Sequence, residues 1–96
     1  MSELTLIATV VANSDAVDAV KMILEKLVEP TRKEEGCEEY NFHQSNDDAA
    51  TFVFYERWSS EAHLQRHIES PHFVECQQAL DGKVAPMQLQ KLSRLA

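Results

Sequence analysis

Four segments of the chain have the hydrophobic pattern of β-strands. The first is a nearly continuous run of apolar and β-branched residues, and in the second Tyr40 and Phe42 alternate with polar neighbours. The third alternates through an aromatic-rich stretch, and the last follows Pro86, which disfavours helix. The predicted strands are residues 4–11, 37–44, 51–58 and 87–95, and Ser45–Asp48 is the predicted turn between the second and third.

Residues 15–32 have the pattern of an amphipathic helix. Apolar residues recur there at spacings of three and four, while charged residues occupy the other side: Ala16, Val17, Val20, Ile23, Leu24, Leu27 and Val28 form the apolar stripe. Ser14 or Asp15 is predicted to cap the start of this helix, and Pro30 should weaken its last turns. Gly36 follows at a position suited to chain reversal.

The second helical region is predicted to be broken in two. Ser59 and Ser60 are good N-caps for a short helix that reaches about residue 69. Ser70 and Pro71 then provide a cap and a first helical residue for a second segment, which should end near residues 81–82.

The order β-α-β-β-α-β in 96 residues predicts one α+β domain, residues 1–96, with the ferredoxin-like fold: a four-stranded antiparallel sheet with two helices on one face. The apolar first strand should be covered on both faces. Since a domain of this size leaves much apolar surface in water, we expect a homodimer.

The composition of the chain limits the kinds of partner that it can have. The net charge of −7, with no cluster of basic residues, argues against nucleic acid. Cys37 and Cys76 are far apart and lack zinc-site spacing, so separate reduced thiols are expected. Neither a bilayer-length apolar stretch nor a basic start before the first apolar run is present, which predicts a cytoplasmic protein without a membrane partner.

The strand 51–58 carries the most informative face of the sequence. Alternation places Phe52, Phe54, Glu56 and Trp58 on one side, and the strand pattern alone favours a face packed as core. Glu56 complicates this interpretation, because a carboxylate is costly to bury alone. It is expected near a rim, paired with an arginine such as Arg57 or Arg66, or lining a wet cavity, where desolvation would raise its pKa and let it relay a proton.

Three histidines follow that strand. His63 and His67 share a helix side, but the pair lacks the glutamate of the H-E-x-x-H signature and an evident third ligand, so no metal site is predicted. His67 lies at the edge of the apolar stripe, where it could exchange a proton in a cavity floored by Trp58. A half-buried histidine bonded to a backbone carbonyl is the alternative. His43 and His72 are less constrained by pattern.

The chain has only two glycines, Gly36 and Gly82, and they are far apart. A glycine-rich loop that binds phosphate is therefore excluded. No motif for a redox cofactor is present, and neither cysteine has the spacing of a nucleophile. No cofactor is therefore predicted.

Several motifs together resemble a known family. They are E-G-C at 35–37 followed by Tyr40, F-V-F-Y-E-R-W at 52–58, A-H-L-Q-R-H at 62–67 and S-P-H-F at 70–73. In this order and spacing the chain resembles the antibiotic biosynthesis monooxygenase domain family over nearly its whole length.

The resemblance implies a dimer whose two sheets face each other as an α+β barrel, with a pocket in each subunit. It also implies oxidation of a small phenolic or quinol-like aromatic substrate by molecular oxygen, without metal or flavin. At the matching positions Trp58 would wall the pocket, His67 would accept the proton, and Glu56 and His43 would be polar contributors. The pocket would be shaped by Phe52, Phe54, Leu64 and Phe73.

Related proteins have other activities besides this oxidation. The haem-degrading branch has an asparagine on the first strand and a haem-binding histidine in the second helical segment. Here the first strand lacks asparagine and the corresponding helical residue is Gln77, so haem degradation is not expected. Other relatives isomerise or bind small metabolites, which leaves a non-oxygenase dimer with the same pocket as the alternative.

Overall fold

The computed structural model describes residues 3–96, in which the predicted segments form four strands and four helices. In chain order these are β1 Leu4–Val11, α1 Val17–Glu25, α2 Val28–Arg32, β2 Cys37–Gln44, β3 Thr51–Trp58, α3 Glu61–Ile68, α4 Pro71–Leu80 and β4 Gln88–Leu92. Residues 1 and 2, with which the predicted domain and the predicted leaderless N-terminus begin, lie outside the described residues.

The strands form one antiparallel sheet in the order β2-β3-β1-β4. β1 pairs with β3 along its full length, from Leu4 opposite Trp58 to Val11 opposite Thr51. The predicted hairpin between β2 and β3 is present, with an irregularity between Cys37 and Glu39. The α+β ferredoxin-like fold is thereby confirmed.

The predicted helix over 15–32 is interrupted. α1 ends at Glu25 and α2 begins at Val28, because the ring of Pro30 clashes with the carbonyl four residues earlier, at Lys26, and Pro30 has no N–H to donate. The predicted caps Ser14 and Asp15 are also wrong. α1 begins one or two residues later, with Ala16 at the cap and no side-chain cap, and the chain enters it through a backbone hydrogen bond from the Ala16 N–H to the Asn13 carbonyl.

The last strand is shorter than its alternation predicted. β4 spans Gln88–Leu92 rather than 87–95, because it pairs with β1 over five positions only. All five of its residues are exposed, and among the described strands β4 pairs with β1 alone, at the edge of the sheet. β4 is therefore the least supported strand of the sheet.

The helices cover one face of the sheet. On β3 the burial alternates, so that Phe52, Phe54, Glu56 and Trp58 are all buried against the helical layer. Among residues 3–96 no helix covers the opposite face of β1, where Thr5, Ile7 and Thr9 remain partly exposed, so the predicted cover on both faces of this strand is not present there. Within residues 3–96, no helix has the length and apolar character needed to cross a membrane.

Candidate active site

The candidate site begins at the end of β3, where Glu56 and Trp58 point into the core. Trp58 is fully buried, Glu56 is 3% exposed, and the indole Nε1 donates to Glu56 Oε1 at 2.9 Å. Neither arginine that sequence offered as a partner binds Glu56: Arg57 binds Glu39 on the other side of the strand, and Arg66 lies 3.9 Å from Glu35. Glu56 is thus a buried carboxyl group rather than a rim residue.

The environment of Glu56 changes its proton affinity. Burial raises its pKa to about 7, and the negative charge of Glu34 adds to this, while the hydrogen bond from Trp58 acts in the opposite direction. Near neutral pH this carboxyl group therefore has access to both protonation states, as a residue that holds or relays a proton requires.

His67 lies opposite, on the buried side of α3. Ser60 caps α3 by accepting from the His63 N–H at 3.2 Å, and the helical period then buries Leu64 and His67 together. The His67 ring is 2% exposed and its centroid lies 4.9 Å from the ring of Trp58. The rings of Phe73 and Tyr40 follow at 5.0 and 5.6 Å.

Burial lowers the pKa of His67, although the hydrogen bond and charge of Glu34 raise it in part. The imidazole is therefore neutral near neutral pH and has a lone pair to accept a proton. Its partner is a carboxylate and not a backbone carbonyl, because His67 Nδ1 lies 2.8 Å from Glu34 Oε2.

Glu34 and the bond it makes to His72 were missed by the sequence analysis. Glu34 lies in the loop between α2 and β2, and its Oε2 also lies 2.5 Å from Nε2 of His72. In the sequence it stands in a run of mixed charge that is typical of a solvated surface. The one available signal was the Ser70–Pro71 break, which starts α4 and brings His72 back beside His67.

His63 and His67 are both on α3, as the sequence predicted, but His63 does not join His67 at the cavity. His63 Nδ1 lies 2.8 Å from the hydroxyl of Ser60, and its ring packs on Gly36. Glu34, His67 and His72 instead place three potential metal-ligand atoms within 4.8 Å of one another. Both histidine nitrogens lie within hydrogen-bond distance of Glu34 Oε2, so hydrogen bonding is sufficient to account for this geometry.

A small cavity lies between these groups. Its free volume of about 20 Å³ has room for about one water molecule. The wall is mostly apolar, with Tyr40, Glu56 and His67 as its polar members; the other lining residues are Leu6, Ala8, Leu27, Phe54, Leu64, Ile68, Phe73, Met87 and Leu89.

The structure brings together most of the predicted site residues. Phe54, Leu64 and Phe73 line the cavity beside Glu56 and His67. Trp58 contacts both polar groups, since its indole donates to Glu56 and its ring packs against the ring of His67. Phe52 lies farther along β3, in the apolar core. His43 is exposed on β2, with Nδ1 3.3 Å from the Val53 carbonyl, away from this cavity.

Comparison with known proteins agrees with this fold. The family model of the antibiotic biosynthesis monooxygenases matches residues 4–79. "Putative monooxygenase Rv0793" of Mycobacterium tuberculosis is 34% identical over 73 residues, which cover 76% of this chain and 71% of that protein. "Probable quinol monooxygenase YgiN" of Escherichia coli K12 is 32% identical over 77 residues, 70% of this chain and 72% of its own length. The crystal structure of PA3566 from Pseudomonas aeruginosa superposes with a TM-score of 0.95 at 34% identity, covering 100% of this chain and 97% of that one.

Proposed function

Since this chain belongs to the antibiotic biosynthesis monooxygenase family, we propose that it is a cofactor-independent monooxygenase which oxidises a small, quinol-like aromatic substrate with molecular oxygen. One observation carries the proposal: a neutral buried imidazole, His67, and a buried carboxyl group of raised pKa, Glu56, line the same apolar cavity beside Trp58.

The chemistry needs no added reductant. A quinol and O₂ give a hydroxyquinone and water: one oxygen atom enters the ring, the other leaves as water, and the substrate supplies all four electrons. His67 takes the phenolic proton, which makes the ring electron-rich enough to react with O₂. Glu56 in its protonated form then donates a proton to the reduced oxygen.

The cavity must enlarge before it admits an aromatic ring. Its 20 Å³ holds about one water molecule, whereas pockets for small-molecule ligands measure about 300–1,000 Å³. The wall formed by Met87 and Leu89 is the one suited to move, because Leu89 is 51% exposed on the weakly supported strand β4. We infer that substrate enters on the β4 side.

The proposal includes a homodimer. Ile7, Val53 and Tyr55 lie on the sheet face that the helices of the described residues leave uncovered, and Leu92 continues this face on β4, 41% exposed. Two such faces packed together would form the dimeric α+β barrel. Sedimentation equilibrium should give twice 10.9 kDa, and Val53→Asp should shift the mass toward the monomer, whereas Leu95→Asp, on a residue 96% exposed, should not. A wild-type mass near 10.9 kDa would contradict the dimer.

A second candidate function is proton transfer within a small metabolite. A neutral base and a protonated carboxyl group on one cavity are also the arrangement of an isomerase, in which one group removes a proton and the other returns one. This candidate needs no oxygen. The cytoplasmic location and the lack of a nucleic-acid partner stay predictions from the sequence.

Oxygen uptake separates the two candidates. With a panel of quinols and naphthols, the wild type should consume oxygen, His67→Ala should lower kcat/KM by about 10²–10⁴-fold, and Trp58→Phe should lower it less. His63→Gln is the matched control, since His63 is on the same helix but bonds to Ser60 outside the cavity, and it should keep the wild-type rate. If no panel member draws oxygen while one raises the Tm, the oxygenase proposal fails and the second candidate remains.

A further inference from the structure

Glu34 joins three parts of the fold at one oxygen atom. Its Oε2 lies 2.8 Å from Nδ1 of His67 on α3 and 2.5 Å from Nε2 of His72 on α4, while Glu34 itself lies in the loop before β2. Glu34 has only 16% of its side chain exposed, although its neighbour Glu35 is 86% exposed. The carboxylate is thus held on the inner side of an otherwise solvated run of charges.

The hydrogen bonds fix where the protons are. A carboxylate only accepts, so the nitrogens that bond to Glu34 must carry N–H groups. In neutral His67 the proton is therefore on Nδ1, which leaves Nε2 with the lone pair. His67 lines the apolar cavity while its Nδ1 is occupied by Glu34, so Nε2 is the remaining nitrogen that can meet a substrate.

We propose that Glu34, anchored by His72, is the positioning residue of His67: its carboxylate accepts the Nδ1 proton and leaves Nε2 as the atom that takes the substrate proton. When Nε2 gains that proton, the negative charge of Glu34 stabilises the resulting imidazolium ion. This step rests on the proposed function for the source of the proton, but the tautomer of His67 does not.

The surroundings of His67 support a specific role for Glu34. The other titratable groups around the ring are Tyr40 on β2, Glu56 on β3 and His72 on α4. Burial raises the pKa of Tyr40 well above its usual range, so the phenol stays neutral. Glu34 is then the one carboxylate in direct hydrogen-bond contact with the His67 ring among the described residues.

The tautomer is measurable without substrate. Long-range ¹H–¹⁵N spectra of protein labelled at histidine should show His67 with a protonated Nδ1 and an unprotonated Nε2 near pH 7.5. Glu34→Ala should remove that preference, whereas Glu34→Gln, which keeps an acceptor oxygen, should retain it. Glu35→Ala is the matched control, because Glu35 makes only a 3.9 Å contact with Arg66, and it should leave the spectrum unchanged.

Kinetics then test the charge of Glu34. With an oxidisable quinol, Glu34→Ala and Glu34→Gln should lower kcat by about 10–10⁴-fold with little change in KM, because loss of a carboxylate that orients a catalytic imidazole lowers kcat by as much as about 10⁴-fold. His72→Ala should produce a smaller loss of kcat, and Glu35→Ala none. Unchanged thermal unfolding of the Glu34 variants would show that the loss is not caused by misfolding.

Three results would overturn the proposal. One is a wild-type His67 protonated at Nε2, and another is a Glu34→Ala variant that keeps the wild-type tautomer. The third is a rise in Tm with Zn²⁺, Ni²⁺ or Cu²⁺ in chelator-treated wild type that Glu34→Ala abolishes, which would make the cluster a metal site. If the tautomer is as expected but no quinol draws oxygen, the proposed function fails and the positioning of His67 by Glu34 stands.

Discussion

The two ends of strand β3 differ in the free-energy cost of burying their side chains. At one end Phe52 is fully buried, pairs with Val10 and stacks on Phe42 at a centroid distance of 5.6 Å. We call Val10, Phe42 and Phe52 the apolar end. About 20 Å along the strand lies the polar end, defined as Glu34, Glu56, Trp58, His67 and His72.

Folding stability alone explains the burial of the apolar end, since moving each of its side chains out of water lowers the free energy of the protein. It does not explain the burial of the polar end. Glu56 is 3% exposed without a cationic partner among the described residues, and its ionisation is therefore opposed by the fold. A fold has no need of such a group for stability, which is why we assign the chemistry to this end.

The sharpest test of the comparison is to truncate the apolar end. Phe52→Ala should lower the free energy of unfolding by about 3–5 kcal/mol, because it removes a fully buried ring and leaves a cavity. Denaturation in urea measures the loss, and oxygen uptake per folded molecule should remain close to wild type. Phe52→Leu is the milder control. If Phe52→Ala were stable but inactive, the assignment of the chemistry to the polar end would be wrong.

Gly36 lies in the same loop as Glu34, two residues after it. Its φ of 86° lies in the region that favours glycine, and a Cβ there would meet the His63 ring at 2.2 Å. Gly36→Ala should lower the free energy of unfolding by about 2–5 kcal/mol, from backbone strain plus overpacking.

Gly82 is the matched control for Gly36. Its φ of 77° imposes similar strain, but nothing lies within 4 Å of an added Cβ, so Gly82→Ala should lose only about 1–2 kcal/mol. The double variant Gly36→Ala/His63→Ala should recover part of the difference. Equal losses in Gly36→Ala and Gly82→Ala, measured by urea denaturation, would show that the His63 contact has no effect.

The sequence predicted the apolar end more completely than the polar end. Strand alternation alone placed Phe52, of the apolar end, on the buried face, because a period of two is a local property. The role of His67 came from its place on the apolar stripe and from the family motif. Glu34 could not be predicted in the same way, since its partners are 33 and 38 residues away and its neighbours in sequence are solvated charges.

The pH dependence of stability isolates Glu56. In the unfolded chain this carboxyl group loses its proton near pH 4.5, but in the folded protein near pH 7. As the pH rises from 4.5 to 7, the unfolded state is the one that releases the proton, so stability falls, by about 3 kcal/mol in total. Above pH 7 the penalty is complete.

Glu56→Gln should remove this slope while keeping an acceptor for the Trp58 indole. His67 contributes with the opposite sign, because its lowered pKa makes the folded state less able to bind a proton below about pH 6.5. That contribution is common to wild type and Glu56→Gln, and it cancels in their difference. Urea denaturation of both proteins at several pH values measures this difference in the free energy of unfolding. A difference that does not change with pH would mean that the Glu56 carboxyl group is not desolvated.

The smallest expected effect concerns the two helix caps of the polar end. Ser60 and Ser70 each accept a backbone N–H, and replacement of either by alanine should lower the free energy of unfolding by about 1 kcal/mol. Only Ser70 also donates to the His67 carbonyl, at 2.7 Å, and so holds the junction between α3 and α4. Ser70→Ala should therefore disturb the ¹⁵N signals of His67 and lower kcat, whereas Ser60→Ala should lose the same stability and leave both unchanged. If the two variants behave alike, the geometry of His67 does not depend on that junction, and α3 alone is sufficient to place the imidazole.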